Sequence, residues 1–271
     1  MTALPSVLPP VLLVGGGRMG GAMLRGWRER GLAHSVVLDP APDARALAGP
    51  GVSVVAEAGA IPEGFRPACV VLAVKPQVAA DALPAVAAHA AGAVALSIMA
   101  GRALAGIARL LPGVPVVRAM PNTPAAIGQG ISAAYAGPGV SPAQAQLCGA
   151  LLEAAGEVAW VEDEGQLDAV TAVSGSGPAY VFLLAELLER AAVEEGLLPA
   201  LARRLARATV AGSGALLVRS GEDAAALRQA VTSPGGTTQA ALAVLMDEAA
   251  WPSTLARAVA AAAARSRELA G

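Results

Sequence analysis

A four-residue apolar run, Val11-Leu12-Leu13-Val14, passes without interruption into Gly15-Gly16-Gly17-Arg18-Met19-Gly20. The glycines at 15, 17 and 20 fit the spacing G-x-G-x-x-G, with a strand pattern before them and a helical pattern after. Gly15 permits a tight turn, Gly17 lets a pyrophosphate approach the backbone, and Gly20 lets the helix pack closely on the strand. Arg18 and Met19 open that helix, whose free N–H groups would receive the phosphates. Glycines also make plain tight turns. The flanking strand, the helix and the position near the N-terminus are what make this motif specific.

A chain that begins this way needs further strands to build a sheet, and it supplies them. Short β-branched runs alternate with Ala/Leu-rich helical stretches, giving expected strands at 11–14, 35–38, 52–55, 69–74, 93–98, 114–119, 131–135 and 157–161. Runs without polar alternation, such as Val70-Val71-Leu72-Ala73-Val74, suit strands covered on both faces. The fold class expected is α/β: an N-terminal doubly wound domain with a mostly parallel sheet, followed by an all-α C-terminal domain. The acidic cluster Glu162-Asp163-Glu164 marks the change of pattern, so the domains are placed at 1–162 and 163–271. Helices are expected at 164–173, 179–195, 199–219, 238–249 and 253–269.

The helix containing Tyr180-Val181-Phe182-Leu183-Leu184 is apolar nearly all round and needs cover on more than one side. Ala211-Gly212-Ser213-Gly214-Ala215 would let another helix approach closely. The helical domain either completes its core with a second subunit or closes as an ordinary intrachain bundle.

The second strand ends at Leu38-Asp39-Pro40, where a carboxylate can accept both ribose hydroxyls of NAD and repel the 2′-phosphate of NADP. Asp39 could instead cap the turn that starts near Pro42, and Arg45 lies within reach of a phosphate. Three further loops follow strands on the same edge. They are Val74-Lys75-Pro76-Gln77, Ser97-Ile98-Met99-Ala100-Gly101 and Arg118-Ala119-Met120-Pro121-Asn122-Thr123-Pro124. Ligands of open α/β sheets bind at that edge. In the helical half, Ser174-Gly175-Ser176-Gly177-Pro178 and Ser233-Pro234-Gly235-Gly236-Thr237-Thr238 put small-residue loops at helix starts. Such loops offer N–H groups and hydroxyls to an anion without a basic residue, and a substrate carboxylate is the natural occupant.

Several function classes are disfavoured. Net charge is −2 with no basic block, which removes the footprint of a nucleic-acid binder. The best transmembrane candidate, the uncharged run 82–101, is interrupted by Pro84, His89 and Gly92 and reads as a helix, a glycine break and a buried strand rather than a membrane span. The first residues lack the basic start and cleavage site of a signal peptide, so the expected location is cytoplasmic. Cys69 and Cys148 have no metal-ligand or disulfide spacing, and no metal site is expected. Both histidines, His34 and His89, fall outside the loops above, and no lysine follows residue 75. Oxidising a hydroxyl needs a proton acceptor. Reducing an imine already protonated in solution does not.

The motifs VGGGRMGGAM, VLAVKPQ, LSIMAG, RAMPNTP, AVSGSGPAY and SPGGTT follow one another along the chain. In that order and at that spacing they resemble the pyrroline-5-carboxylate reductase family. The resemblance implies a Rossmann domain, a helical dimerisation domain, and homodimers that often assemble into rings, with active sites that include the partner's helices. It implies hydride transfer from NADH or NADPH to the imine carbon of 1-pyrroline-5-carboxylate, giving L-proline. By the same resemblance Gly15, Gly17 and Gly20 turn around the pyrophosphate. Ala73, Lys75, Pro76, Met99, Ala100, Gly101, Met120, Pro121 and Asn122 line the cofactor cleft. Ser233, Gly235, Gly236, Thr237 and Thr238 form the carboxylate cradle, with the Thr238 hydroxyl directed at the ring nitrogen. The chain departs from the family at Asp39-Pro40, where many members carry a turn suited to NADP, and around Glu57-Ala58, where they carry asparagine. Those departures bear on the cofactor, not the reaction.

Two neighbouring chemistries remain. A β-hydroxyacid dehydrogenase would need a lysine in the helical half, which is absent; an imine reductase shares the chemistry, but SPGGTT argues for a carboxylated substrate. A nucleotide-binding protein without turnover would not need the polar loops. Lys75, the one lysine beside 18 arginines, reads as a cofactor-side residue whose compact ammonium fits where a guanidinium would crowd the loop.

Overall fold

The computed structural model describes residues 7–270; the first six, where the signal-peptide reading begins, lie outside them. Eight strands form one sheet: β1 (Val11–Val14), β2 (Ser35–Leu38), β3 (Val52–Val55), β4 (Cys69–Leu72), β5 (Val94–Ser97), β6 (Val116–Met120), β7 (Gly130–Ala136) and β8 (Gly156–Trp160). Their order is β3-β2-β1-β4-β5-β6-β7-β8. The six strands from β3 to β6 run parallel; β7 is antiparallel to β6, and β8 parallel to β7. The strand order reverses between β1 and β4, which opens a crevice at their C-terminal ends.

Both faces of the sheet are covered, which is why the strands read as unbroken apolar runs. On one face Leu13, Val37, Val71 and Leu96 pack under α1 (Arg18–Glu29) and α4 (Pro142–Glu153), meeting Met23, Trp27 and Leu151. Trp27 is fully buried, and its indole N–H donates to the Leu151 carbonyl at 2.7 Å. On the other face Leu12, Val36, Val70 and Ala95 pack under α2 (Ala79–Ala90) and α3 (Leu104–Leu110), meeting Leu83, Val86 and Ile107. The uncharged run 82–101 is the body of α2, a turn at Gly92 with φ +81°, and β5, so it is part of this core.

By internal contacts the chain divides into two compact units. The first holds residues up to Gly175 together with those from Ala262 onward; the second is Ser176–Ala261. The acidic cluster at 162–164 therefore marks the end of the sheet, and the change of packing partner comes later. After it, α5 (Gln166–Val170) and a π turn (Thr171–Gly175) stay with the first unit. The tail of α10 (Trp251–Ala270) returns there too, its Ser266 hydroxyl donating to Asp168 at 2.6 Å.

The second unit contains α6 (Gly177–Glu194), α7 (Pro199–Ser220), α8 (Ala224–Ala230), α9 (Thr237–Leu245) and the start of α10. Helix α8 was not among the expected elements. Helix α9 stops at Leu245 rather than 249, because the Asp247 carboxylate accepts the Ala249 N–H at 2.8 Å and turns the chain. α6 and α7 pack on each other, yet α6 buries no residue and α7 buries only Ala202 and Ala206. Phe182 is 65% exposed, and Val181, Leu183, Leu216 and Leu217 are also open. Among the described residues, Gln166–Glu194 is long and apolar enough to cross a bilayer by length and composition. A single chain leaves this unit without a core of its own.

Candidate active site

The glycine turn follows β1 at the crevice. Gly15 has φ +100°, and its N–H donates to the Leu38 carbonyl at 2.9 Å. A Cβ on Gly15 would come within 2.7 Å of the Ala73 carbonyl oxygen, and one on Gly20 within 2.2 Å of the Gly15 carbonyl oxygen. Both glycines are therefore demanded by the fold itself. Gly17 differs: a Cβ there would meet nothing within 4 Å. Gly17 is the N-cap of α1 and offers no side chain to the first N–H groups of Arg18 and Met19. The open space and the uncapped amides fit a dinucleotide pyrophosphate.

Asp39, just past β2, is held at both ends. Its Oδ2 accepts the Gly16 N–H at 2.6 Å and its Oδ1 accepts the Ala41 N–H at 2.9 Å. It caps no helix: the 3-10 turn Pro42–Leu47 starts after Ala41 and has no side-chain cap. Arg45, in that turn, is exposed and forms no ion pair among the described residues.

The loops after β4, β5 and β6 lie at the C-terminal ends of parallel strands, so Ala73, Lys75, Pro76, Met99, Ala100, Gly101, Pro121 and Asn122, with Met120 ending β6, share one edge. The Arg102 guanidinium donates to the Pro76 carbonyl at 2.9 Å and ties two of these loops together. Gly101 has φ +67°, and a Cβ there would approach Leu269 of α10 to 3.0 Å. A Cβ on Gly175 would meet the Met120 methyl at 2.7 Å. The Asn122 side-chain oxygen accepts the Ile131 N–H at 3.0 Å, so that oxygen braces the loop. Lys75 is exposed, and among the described residues no hydrogen bond or ion pair engages its ammonium. Two positions before Met120 in β6, Arg118 pairs with Glu164, whose same oxygen accepts the Leu104 N–H at 2.6 Å. Arg102 and Arg118 carried no sequence signal beyond lying in or beside the loop motifs, and Glu164 none beyond its place in the acidic cluster.

In the helical unit, the loop before α9 is already partly satisfied. The Gly235 N–H donates to Gln239 Oε1 at 2.6 Å and the Gly236 N–H to the Ser233 carbonyl at 3.0 Å. Gly235 has φ +73°, and a Cβ on Gly236 would strike the Ser233 hydroxyl at 2.8 Å. The expectation that the whole loop offers free N–H groups is thus narrowed to the first turn of α9, at Thr237 and Thr238, where no side chain caps the helix. Thr238 is half-buried and Thr237 exposed. Gln239 was absent from the expected site. At the other small-residue loop, the Ser174 hydroxyl donates back to the Val170 carbonyl at 3.2 Å, and Pro178 opens α6.

Cys69 and Cys148, distant in sequence, meet in the core: both are buried, and their thiols hydrogen-bond. Burial pushes the Cys69 thiol well above its ordinary range, and the contact with Cys148 adds to the shift.

The pyrroline-5-carboxylate reductase dimerisation family model matches residues 164–269, and the model described as NADP oxidoreductase, coenzyme F420-dependent, matches residues 10–101. A pyrroline-5-carboxylate reductase of Pseudomonas aeruginosa is 40% identical over 268 residues, spanning 97% of each chain. The structure of a pyrroline-5-carboxylate reductase from Coxiella burnetii superposes with a TM-score of 0.89 at 30% identity, over 97% of this chain and 99% of that one. The Plasmodium falciparum pyrroline carboxylate reductase, solved with NADP bound, shares the fold with a TM-score of 0.82 at 24% identity, over 97% and 98%. With a relative this similar along nearly the whole chain and the dimerisation model over its helical half, the chain belongs to the pyrroline-5-carboxylate reductase family.

Proposed function

We propose that this chain reduces 1-pyrroline-5-carboxylate to L-proline with NAD(P)H, the last step of proline biosynthesis. The observation that carries the reading is family membership over nearly the full length. When bound, NAD(P)H supplies the hydride that reaches the imine carbon. The chain's part is positioning. Gly15, Gly17 and Gly20 bend the backbone under the pyrophosphate, while the first N–H groups of α1, at Arg18 and Met19, receive its charge. Asp39 faces the adenosine ribose. Ala73, Lys75, Pro76, Met99, Ala100, Gly101, Met120, Pro121 and Asn122 line the nicotinamide side. The uncapped first turn of α9 receives the substrate carboxylate, framed by Ser233, Gly235, Gly236 and Thr237; its charge suits a helix N-terminus. The Thr238 hydroxyl hydrogen-bonds the ring nitrogen. Since the imine arrives protonated, no side chain has to deliver a proton, which agrees with the lack of a histidine in these loops and of a lysine in the helical half.

The functional boundary falls after residue 162, a placement supported by the dimerisation match beginning at 164. The working form is a homodimer able to assemble further into a ring, in the cytoplasm, with no membrane or nucleic acid as partner. The exposed apolar faces of α6 and α7 support subunit contact, because a helical unit with so few buried residues needs cover. The test is to follow oxidation of NADH and of NADPH with 1-pyrroline-5-carboxylate and to identify L-proline as product. Failure with both, in folded protein that binds nucleotide, defeats the reading.

A further inference from the structure

Asp39 is placed to choose between the two nicotinamide cofactors, and we propose that it makes this enzyme selective for NADH. The inference rests on the reading that the glycine turn holds the dinucleotide. The Asp39 backbone is fixed by the sheet, its N–H donating to the Val55 carbonyl at 3.0 Å. Its side chain is fixed at both oxygens, by Gly16 at 2.6 Å and Ala41 at 2.9 Å. An ionised carboxylate has about four lone-pair sites. Two are taken, so one remains on each oxygen, which matches the two vicinal hydroxyls of a ribose.

A 2′-phosphate has the opposite requirements. At neutral pH a phosphate monoester brings about 1.5 to 2 negative charges and, as the dianion, no proton to donate. The carboxylate cannot turn aside, since doing so would strip the acceptor from the Gly16 N–H inside the glycine turn. Nor is there slack at Gly16, where even a Cβ would meet Leu47 at 2.5 Å and Asp39 Oδ2 at 3.4 Å. A 2′-phosphate is accommodated by cations. Arg45 is the candidate, but it is exposed, shares its turn with Asp43, and is not held by any ion pair among the described residues. A fixed, hydrogen-bonded anion beside the ribose outweighs a solvated cation on a flexible stem.

The test is direct titration of NADH and NADPH, followed by cofactor fluorescence without substrate, on the wild type, Asp39→Ser and the isosteric Asp39→Asn. The wild type is expected to bind NADH tighter by roughly tenfold or more, and both variants to move the ratio toward NADPH by a similar factor. Equal or tighter NADPH binding by the wild type overturns the inference whatever the variants do. So does a ratio unchanged in both variants. The measurement is separate from turnover. Selective NADH binding with no reduction of pyrroline-5-carboxylate upholds this inference and defeats the reaction; reduction with equal use of both cofactors does the reverse.

Discussion

The Glu164 carboxylate pairs with the Arg118 guanidinium, and through the same oxygen it accepts the Leu104 N–H at 2.6 Å. One acidic residue beyond the last strand thereby joins β6 to the start of α3. The Arg118 side chain is 12% exposed against 31% for Glu164, so removing the acid strands the more deeply buried charge. Glu164→Gln keeps an acceptor for Leu104 but removes the counter-charge. It is expected to cost about 1–3 kcal/mol, read as a lower urea midpoint at unchanged slope. Because Arg118 lies two positions before Met120 in β6, kcat/KM is expected to fall as well.

The scaffold was more legible than its fastenings. All eight strands stood out, β1, β2, β4 and β5 because runs buried along their whole length carry no competing helical signal, and the observed bounds differ from the expected ones by two residues or fewer. The glycine turn was legible because its residue types are forced by backbone contacts such as Gly20 against Gly15. Glu164, by contrast, read only as part of an acidic cluster. Its partner Arg118 is 46 positions away, and no local pattern records a pair that only the sheet brings together. Helix α8 was missed because seven residues show too little periodicity to separate from a loop.

Gly17 and Gly20 should separate folding from nucleotide binding. Gly20→Ala forces a Cβ to 2.2 Å from the Gly15 carbonyl oxygen, so stability is expected to drop by about 1–3 kcal/mol. Gly17→Ala meets nothing within 4 Å and has φ −62°, so thermal stability should change by less than about 0.5 kcal/mol. The same methyl occupies the space left for the pyrophosphate. NADH affinity is expected to fall by roughly tenfold or more, measured by fluorescence titration.

The cysteine contact sets a pH limit on stability. The folded Cys69 thiol is shifted up by burial, while in the unfolded chain it titrates near about 8.5. The unfolded state therefore loses its proton first, so this contribution to stability is complete below about pH 8.5 and declines as pH rises above that value. Urea unfolding at neutral and alkaline pH should show a loss that is smaller in Cys69→Ala than in the wild type. Thiol reagent should label the native protein slowly and the unfolded protein fast.

Thr238→Ala tests the substrate side alone. Thr238 belongs to the helical unit, and the glycine turn to the sheet unit. Removing its hydroxyl should lower kcat while leaving NADH affinity within about twofold, since a hydrogen bond to the reacting imine is worth about 1–2 kcal/mol. A collapse of cofactor binding would instead place this loop on the nucleotide side.

Gln239 offers the sharper probe of the same loop, because its Oε1 takes the Gly235 N–H at 2.6 Å and holds a backbone that needs φ +73°. Gln239→Ala frees that N–H and loosens the turn ahead of Thr237. The KM for pyrroline-5-carboxylate should rise by roughly fivefold, the equivalent of about 1 kcal/mol, with NADH affinity unchanged. Gln239→Glu separates shape from charge: its carboxylate still accepts from Gly235, so the turn is kept, but it adds a negative charge where the substrate's own carboxylate is expected. Its KM should therefore exceed that of Gln239→Ala even though its melting temperature matches the wild type. If the glutamate variant instead restores the wild-type KM, this loop orders the helix start without receiving an anion.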